Sequence, residues 1–266
     1  MRHRLLAVTL LMATACAPSA TPPSPPAFPA GTLVDLSHTY DKTTIFWPTA
    51  EPFQLTTVSA GMTPGGYYYA ANNFSSSEHG GTHLDSPIHF AEGKATVDQI
   101  PIDRLIGPAV VIDVTPAADA NADYLITTAD IQRAEAEEGQ IPANAIVLLR
   151  TGFSRRWPDA AKYLGTAERG EAGVAKLHFP GLHPDAARWL VANRKLRAIG
   201  IDTASIDYGQ STAYESHRTL FANDIPAFEN LTALERVPRR GAMVIALPMK
   251  IGGGSGAPLR AIAIVP

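Results

Sequence analysis

The sequence predicts a single α/β or mixed domain, and three observations carry that expectation. β-branched apolar runs recur at 109–114 (AVVIDV), 145–152 (AIVLLRTG), 196–202 (LRAIGID), 242–249 (AMVIALPM) and 261–265 (AIAIV), each reading as a buried strand. Helical segments lie between them, and alternation of the two element types marks the α/β class. From residue 33 to the end no second linker or repeat appears, and 266 residues provide one large domain with a sizeable core.

The N-terminal residues are of a different kind. Arg2 and Arg4 give a basic start, Leu5 to Met12 an apolar run, and Ala13, Thr14 and Ala15 lead into Cys16. The run is too short for the roughly 20 residues a spanning helix needs, and the layout is that of a secretory signal. It resembles a lipobox over 1–16, with Ala13 where that pattern usually has Leu. Cys16 is thus the expected lipidation site, and the expected location is exported, periplasmic or membrane-anchored as a lipoprotein. Residues 17–31 (APSATPPSPPAFPAG) form a Pro-rich tether that favours extended conformations. The folded domain is expected over 32–266. Cys16 is the only cysteine, so no internal disulfide forms and any metal site uses N and O ligands.

Within the domain, TADIQRAEAEE (128–138) predicts a helix starting at a Thr128 cap, and PDAARWLVANR (184–194) one with Pro184 in its first turn. Apolar residues make up 45% and charged residues 18%, an ordinary globular balance. A formal net charge of −3 without a dense Lys/Arg run argues against nucleic acid as a partner.

Residues 79–90, HGGTHLDSPIHF, hold three histidines and an aspartate within eleven positions. Each glycine costs about 1 kcal/mol in a helix interior and Pro87 roughly 3, so extended or turn-rich backbone is expected. On a strand, His83 and Asp85 share a face. His79 and His89 join them if the irregularities at Gly80–Gly81 and Pro87 permit. Two imidazoles and a carboxylate converging on one point suit a borderline divalent ion.

This stretch resembles the His-x-Gly-Thr-His-x-Asp-x-Pro-x-His-Phe signature of the cyclase family of metal-dependent hydrolases, which includes bacterial kynurenine formamidase and isatin hydrolase. Segments 34–48, 96–114, 198–207, 215–217 and 246–265 resemble further family elements in order, so the likeness covers about 33–266. It implies a compact α/β domain with a central mixed β-barrel or sandwich-like sheet flanked by helices, and a homodimer. It implies that His79, His83 and Asp85 hold one metal, and that Asp85 bridges to a second held with His217 and Glu229, twelve residues apart. His89 would be the catalytic acid/base. Zn²⁺ and Mn²⁺ both suit such ligands.

The implied chemistry is hydrolysis of a small, aromatic amide by metal-activated water, in the manner of a formamidase. The alternatives are ring opening of a lactam or imide of the isatin type and, in another class, an exported metal- or ligand-binding lipoprotein without turnover. No Gly-x-Ser-x-Gly elbow is present, which argues against a serine hydrolase. Phe46 and Trp47 are candidate substrate contacts, and Tyr67 to Tyr69 precede the metal motif. His38 reads as structural, and His183 as a helix-start residue without chemistry. GGGSG (252–256) lacks the Lys-Ser/Thr of a phosphate loop and reads as a flexible loop near the pocket mouth. The sequons at 73–75 and 230–232 read as chance.

Overall fold

All five apolar runs become strands of one sheet that closes on itself. In the computed structural model the described residues are 30–266; the signal segment, Cys16 and residues 17–29 of the tether lie outside them. The strands are β1 (Thr32–Asp35), β2 (Gln54–Met62), β3 (Tyr68–Ser75), β4 (His83–Asp85), β5 (Ile106–Asp113), β6 (Leu125–Ile126) and β7 (Ile146–Arg150). They continue with β8 (Gly181–Leu182), β9 (Ala198–Ile201), β10 (Ala227–Glu229), β11 (Met243–Pro248) and β12 (Gly256–Val265). Helices are α1 (Thr115–Ala120), α2 (Thr128–Glu138), α3 (Ala160–Tyr163), α4 (Glu171–Val174), α5 (Pro184–Asn193) and α6 (Glu215–Ala222). None is long and apolar enough to cross a membrane.

The sheet runs β1-β12-β11-β5-β7-β9-β10-β4, and β4 also pairs with β12, so seven of the eight strands form a closed mixed barrel. The pairs β5–β7, β7–β9 and β9–β10 are parallel; the others are antiparallel. Alternate residues divide between two cores, as the two-residue side-chain period requires. Ala109, Val111, Ile146 and Leu148 face the barrel interior with Leu84 and Phe228. Val110, Ile112, Val147 and Leu149 face outward and are covered by Ile131 of α2, Leu190 of α5 and Phe221 of α6. Burial on both faces is why these strands read as continuous apolar runs rather than alternating ones.

Helix α2 spans the expected 128–138, but its cap is Thr127, not Thr128. The Thr127 hydroxyl accepts from the Asp130 N–H while Asp130 accepts from the Thr127 N–H, a reciprocal box that Thr128 cannot form one residue further in. Helix α5 has Pro184 at its start, and His183 caps it by accepting the Asp185 N–H at 3.0 Å. No strand is expected over 54–75 from the residue pattern, yet β2 and β3 form a separate two-stranded hairpin there. Leu55, Val58, Met62, Tyr68, Tyr69 and Phe74 all lie exposed on it.

Candidate metal and active site

The site is built on β4, a three-residue strand of the barrel wall. Leu84 points into the core, so the period of two turns His83 and Asp85 outward together. Opposite His83 in the β10 register stands Glu229, so their side chains are cross-strand neighbours. The glycines before β4 have steric reasons. At Gly80 a Cβ would collide with the Phe46 ring. Gly81 has φ +56° and would meet Tyr40. After β4, Pro87 opens a one-turn 3-10 helix over Pro87–His89, which brings His89 back beside the strand. His217 arrives from α6, against which Phe90 packs at 4.7 Å from the His217 ring.

The six expected side chains all line one cavity of about 380 Å³. Asp85 is its centre. Oδ1 lies 2.7 Å from His79 Nδ1 and 3.0 Å from His83 Nε2, while Oδ2 lies 3.2 Å from His217 Nε2 and 3.9 Å from His89 Nε2. Glu229 Oε1 is 3.0 Å from His217 Nε2, and Oε2 is 3.5 Å from His83 Nε2. Among the described residues, two groups of three side chains bring ligand atoms within 4.8 Å of one another: His83–Asp85–Glu229, wholly buried, and His79–Asp85–His89. Asp85 is common to both; His83 stands with Glu229 and His89 with His79, while His217 lies 3.2 Å from Asp85 and 3.0 Å from Glu229. The cross-strand register puts His83 on the β10 side.

Second partners fix two of the imidazoles. His83 Nδ1 donates to the Gly81 carbonyl at 2.9 Å, which also accepts from Asn230 Nδ2 at 2.8 Å. Tyr163 donates to Asn230 Oδ1 at 2.8 Å, so the amide orientation follows from the network. His217 Nδ1 lies 2.6 Å from Asp207 Oδ2. Asp207 also accepts the N–H groups of Ser216 and His217, both at 3.1 Å, at the start of α6. Both rings therefore turn Nε2 toward the carboxylates. This carboxylate- or carbonyl-anchored histidine is the usual outer support of a metal ligand. Neither Asp207 nor Asn230 is assigned a site role by the sequence; Asp207 ends the 198–207 segment and Asn230 opens the sequon at 230–232.

Charge in this centre is balanced for a cation. Burial pushes Glu229 above the usual carboxylate range, and the neighbouring Asp85 carboxylate pushes it further. Burial acts the same way on Asp85, but the His79 and His83 imidazoles overcome it and hold Asp85 well below that range. Burial lowers His217 while Asp207, Asp85 and Glu229 raise it, and the carboxylates win. The decisive atom is His83 Nε2: it is buried and has no hydrogen-bond partner although two carboxylates flank it. A buried ring nitrogen 3.0 and 3.5 Å from two carboxylates, without a directed hydrogen bond to either, fits a divalent ion, and the N/O donor set suits a borderline one.

Phe46 and Trp47 both line the cavity, Phe46 buried against Gly80 and Trp47 edge-on to Phe179 at 6.4 Å. Tyr67 to Tyr69 do not; they are exposed at or on the hairpin. His38 is packed rather than ligating, stacked on Trp157 at 4.1 Å with burial lowering its pKa to about 4. Asn230 of the second sequon is buried within the site.

Zn²⁺ or Mn²⁺ should raise the melting temperature, with stabilisation of about 2.7 kcal/mol at a free metal concentration one hundred times Kd. Glu229→Gln should remove most of that shift. Calorimetric scans that show no metal response in the unsubstituted chain would remove the metal site from consideration.

Comparison with known proteins bears on the same residues. The Cyclase family matches residues 34–208, more than half the chain. An isatin hydrolase from Roseibium aggregatum is 35% identical over 209 residues, covering 76% of this chain and 77% of that protein. A kynurenine formamidase from Salinibacter ruber is 30% identical over 234 residues, covering 86% and 96%. The solved isatin hydrolase A from Labrenzia aggregata superposes with a TM-score of 0.79 at 36% identity, covering 88% and 93%. With the family matched across β4 and both of these relatives hydrolysing amides, the chain belongs to the cyclase family and is a metal-dependent amide hydrolase.

Proposed function

We propose that the protein adds water across the C–N bond of a small aromatic amide, with a divalent ion held among His79, His83, Asp85, His217 and Glu229 and with His89 as acid/base. The observation that carries this is the asymmetry of one cavity: a floor of converging imidazoles and carboxylates beneath walls of Ile45, Phe46, Trp47, Phe90 and Tyr214. Ring opening of a cyclic amide of the isatin type is the preferred substrate class, supported by the 35% identity to an isatin hydrolase and the TM-score of 0.79 to a solved one. Cleavage of a linear aryl formamide is the second reading, supported by a formamidase relative matched over 96% of its length. Because both relatives turn over their substrates, they favour catalysis over a binding protein without turnover.

A divalent ion bound in this centre supplies an activated water and polarises the amide carbonyl. His89 is the group we assign to move the proton. Burial lowers its pKa to about 4, so the ring is neutral at pH 7 and able to accept one. Stacking on His79, at 3.8 Å between centroids and 18° between planes, fixes its plane beside Asp85. His89 takes the proton from the attacking water and returns it to the departing nitrogen as the C–N bond breaks. Phe46, Trp47 and Phe90 keep bulk water from the reacting carbonyl and offer faces to an aryl ring.

His89→Ala should retain metal and lose about 10²–10⁴-fold in kcat. Turnover is followed with isatin and with formanilides, and wild-type rates in this variant would overturn the acid/base role.

We also propose that the protein functions as a homodimer, supported by the hairpin of β2 and β3. An isolated two-stranded hairpin is marginal in water, and six large apolar side chains stand exposed on this one. Replacing Tyr68 and Phe74 together by Glu should halve the mass seen by light scattering. A wild-type chain that sediments as a monomer refutes the dimer. Finally, we propose export with lipidation at Cys16, on the signal layout of 1–16. Palmitate labelling in a bacterial host should be lost in Cys16→Ser, and an unlabelled wild-type chain would refute the anchor.

A further inference from the structure

Of the four imidazoles around Asp85, three belong to the ligand set, and the outer anchors of two of these have been described. The third, His79, is anchored through the glycine-rich segment 252–256. That loop is not free. Gly253 N–H donates to Asp98 at 2.9 Å, Val97 N–H to the Gly254 carbonyl at 2.9 Å, and Ser86 N–H to the Ser255 carbonyl at 2.9 Å. Inside it, Glu78 Oε2 accepts from the Ser255 N–H at 3.0 Å, the Gly256 N–H at 3.3 Å and the Ser255 hydroxyl at 2.6 Å. His79 Nε2 lies 2.9 Å from that same hydroxyl oxygen.

Counting protons determines the directions. The two backbone amides can only donate, so Glu78 Oε2 is an acceptor and takes the one hydroxyl proton of Ser255. The Ser255 oxygen then has only lone pairs to offer His79, so His79 Nε2 must carry hydrogen and donate. In the neutral ring this leaves the lone pair on Nδ1, 2.7 Å from Asp85 Oδ1. The loop glycines are sized for this contact. A Cβ on Gly256 would stand 2.5 Å from His79 Cε1, and one on Gly254 2.8 Å from Glu78 Oε1.

We propose that Glu78, acting through the Ser255 hydroxyl, fixes His79 as the Nε2–H tautomer, so that His79 offers Nδ1 to the metal whereas His83 and His217 offer Nε2. Glu78 and Ser255 are positioning residues, not catalytic ones, and the inference rests on the metal reading above. It gives the glycine-rich segment a purpose: its backbone and hydroxyl form the outer support of a ligand, the part played for His217 by a carboxylate and for His83 by a carbonyl.

The test uses the full chain labelled with ¹⁵N-histidine, with Zn²⁺ and Mn²⁺ affinities from chelator competition. The wild-type long-range ¹H–¹⁵N spectrum should show His79 protonated at Nε2 and metallated at Nδ1. Ser255→Ala and Glu78→Ala should each weaken metal binding about 10–100-fold and disturb the His79 signals. Ser255→Thr, which restores a hydroxyl, should recover both. Asp98→Ala loosens the same loop without touching the hydroxyl and should change neither. The proposal is overturned if wild-type His79 carries its proton on Nδ1, or if Ser255→Ala keeps wild-type affinity and an unchanged His79 spectrum. Should Ser255→Ala fail to fold, the wild-type tautomer and the Ser255→Thr affinity decide. If the wild-type chain binds neither ion, the metal reading fails by itself; in that metal-free spectrum, where Asp85 can hold a proton on Nδ1, a protonated His79 Nε2 supports the Glu78–Ser255 anchor and a bare Nε2 overturns it.

Discussion

Everything in this protein turns on a strand of three residues. β4 closes the barrel by pairing with β10 on one side and β12 on the other, and the same strand turns His83 and Asp85 outward. Closure and chemistry are therefore one constraint. Shifting β4 by one residue would send Leu84 out of the core and the two polar side chains into it. Neither the apolar interior nor the site tolerates that, so the register is doubly specified.

The cost of this design is two buried carboxylates, Asp85 and Glu229, on the same face of the barrel wall. Buried charges persist only when paired and hydrogen-bonded. Here the pairing comes from imidazoles, each held by a group outside the centre: Gly81 O for His83 and Asp207 for His217. Because the outer nitrogen is committed, the inner one is aimed rather than free to rotate. The aromatic wall has a separate foundation. Ile45 belongs to a third core with Phe153, Tyr163 and Phe179, against which Trp47 packs, and this core carries the 40s segment over the polar floor.

Much of this was legible in the residues. The five apolar runs located β5, β7, β9, β11 and β12; in β5, β7 and β9 burial on both faces leaves an unbroken signature, whereas β11 and β12 stay apolar although their outward residues are partly exposed, and Pro184 marked the start of α5. HGGTHLDSPIHF was informative because its glycines, proline and polar residues each answer a local demand: close contact at Gly80, positive φ at Gly81, a turn at Pro87. Less legible were β10 and the hairpin. β10 is three residues long and buried by what surrounds it, while β2 and β3 have no buried face to impose alternation. The Thr127 cap was misplaced by one residue because propensity does not distinguish adjacent threonines; the reciprocal bonds with Asp130 do.

The sequence by itself determined the local chemistry: which residues can ligate or carry a proton, where the chain must turn, and, through its family likeness, that a distant His and Glu belong with the motif. Only the tertiary structure decided how they meet. Asp85 and His217 are 132 positions apart, and His79 and Ser255 are 176 apart. What joins them is barrel closure, a property of strand register and long-range packing that no local window contains. The outer partners of the histidines are ordinary Ser, Asp, Glu and Asn residues whose types carry no signal. Their meaning comes from a hydrogen-bond distance, which exists only once the chain has folded.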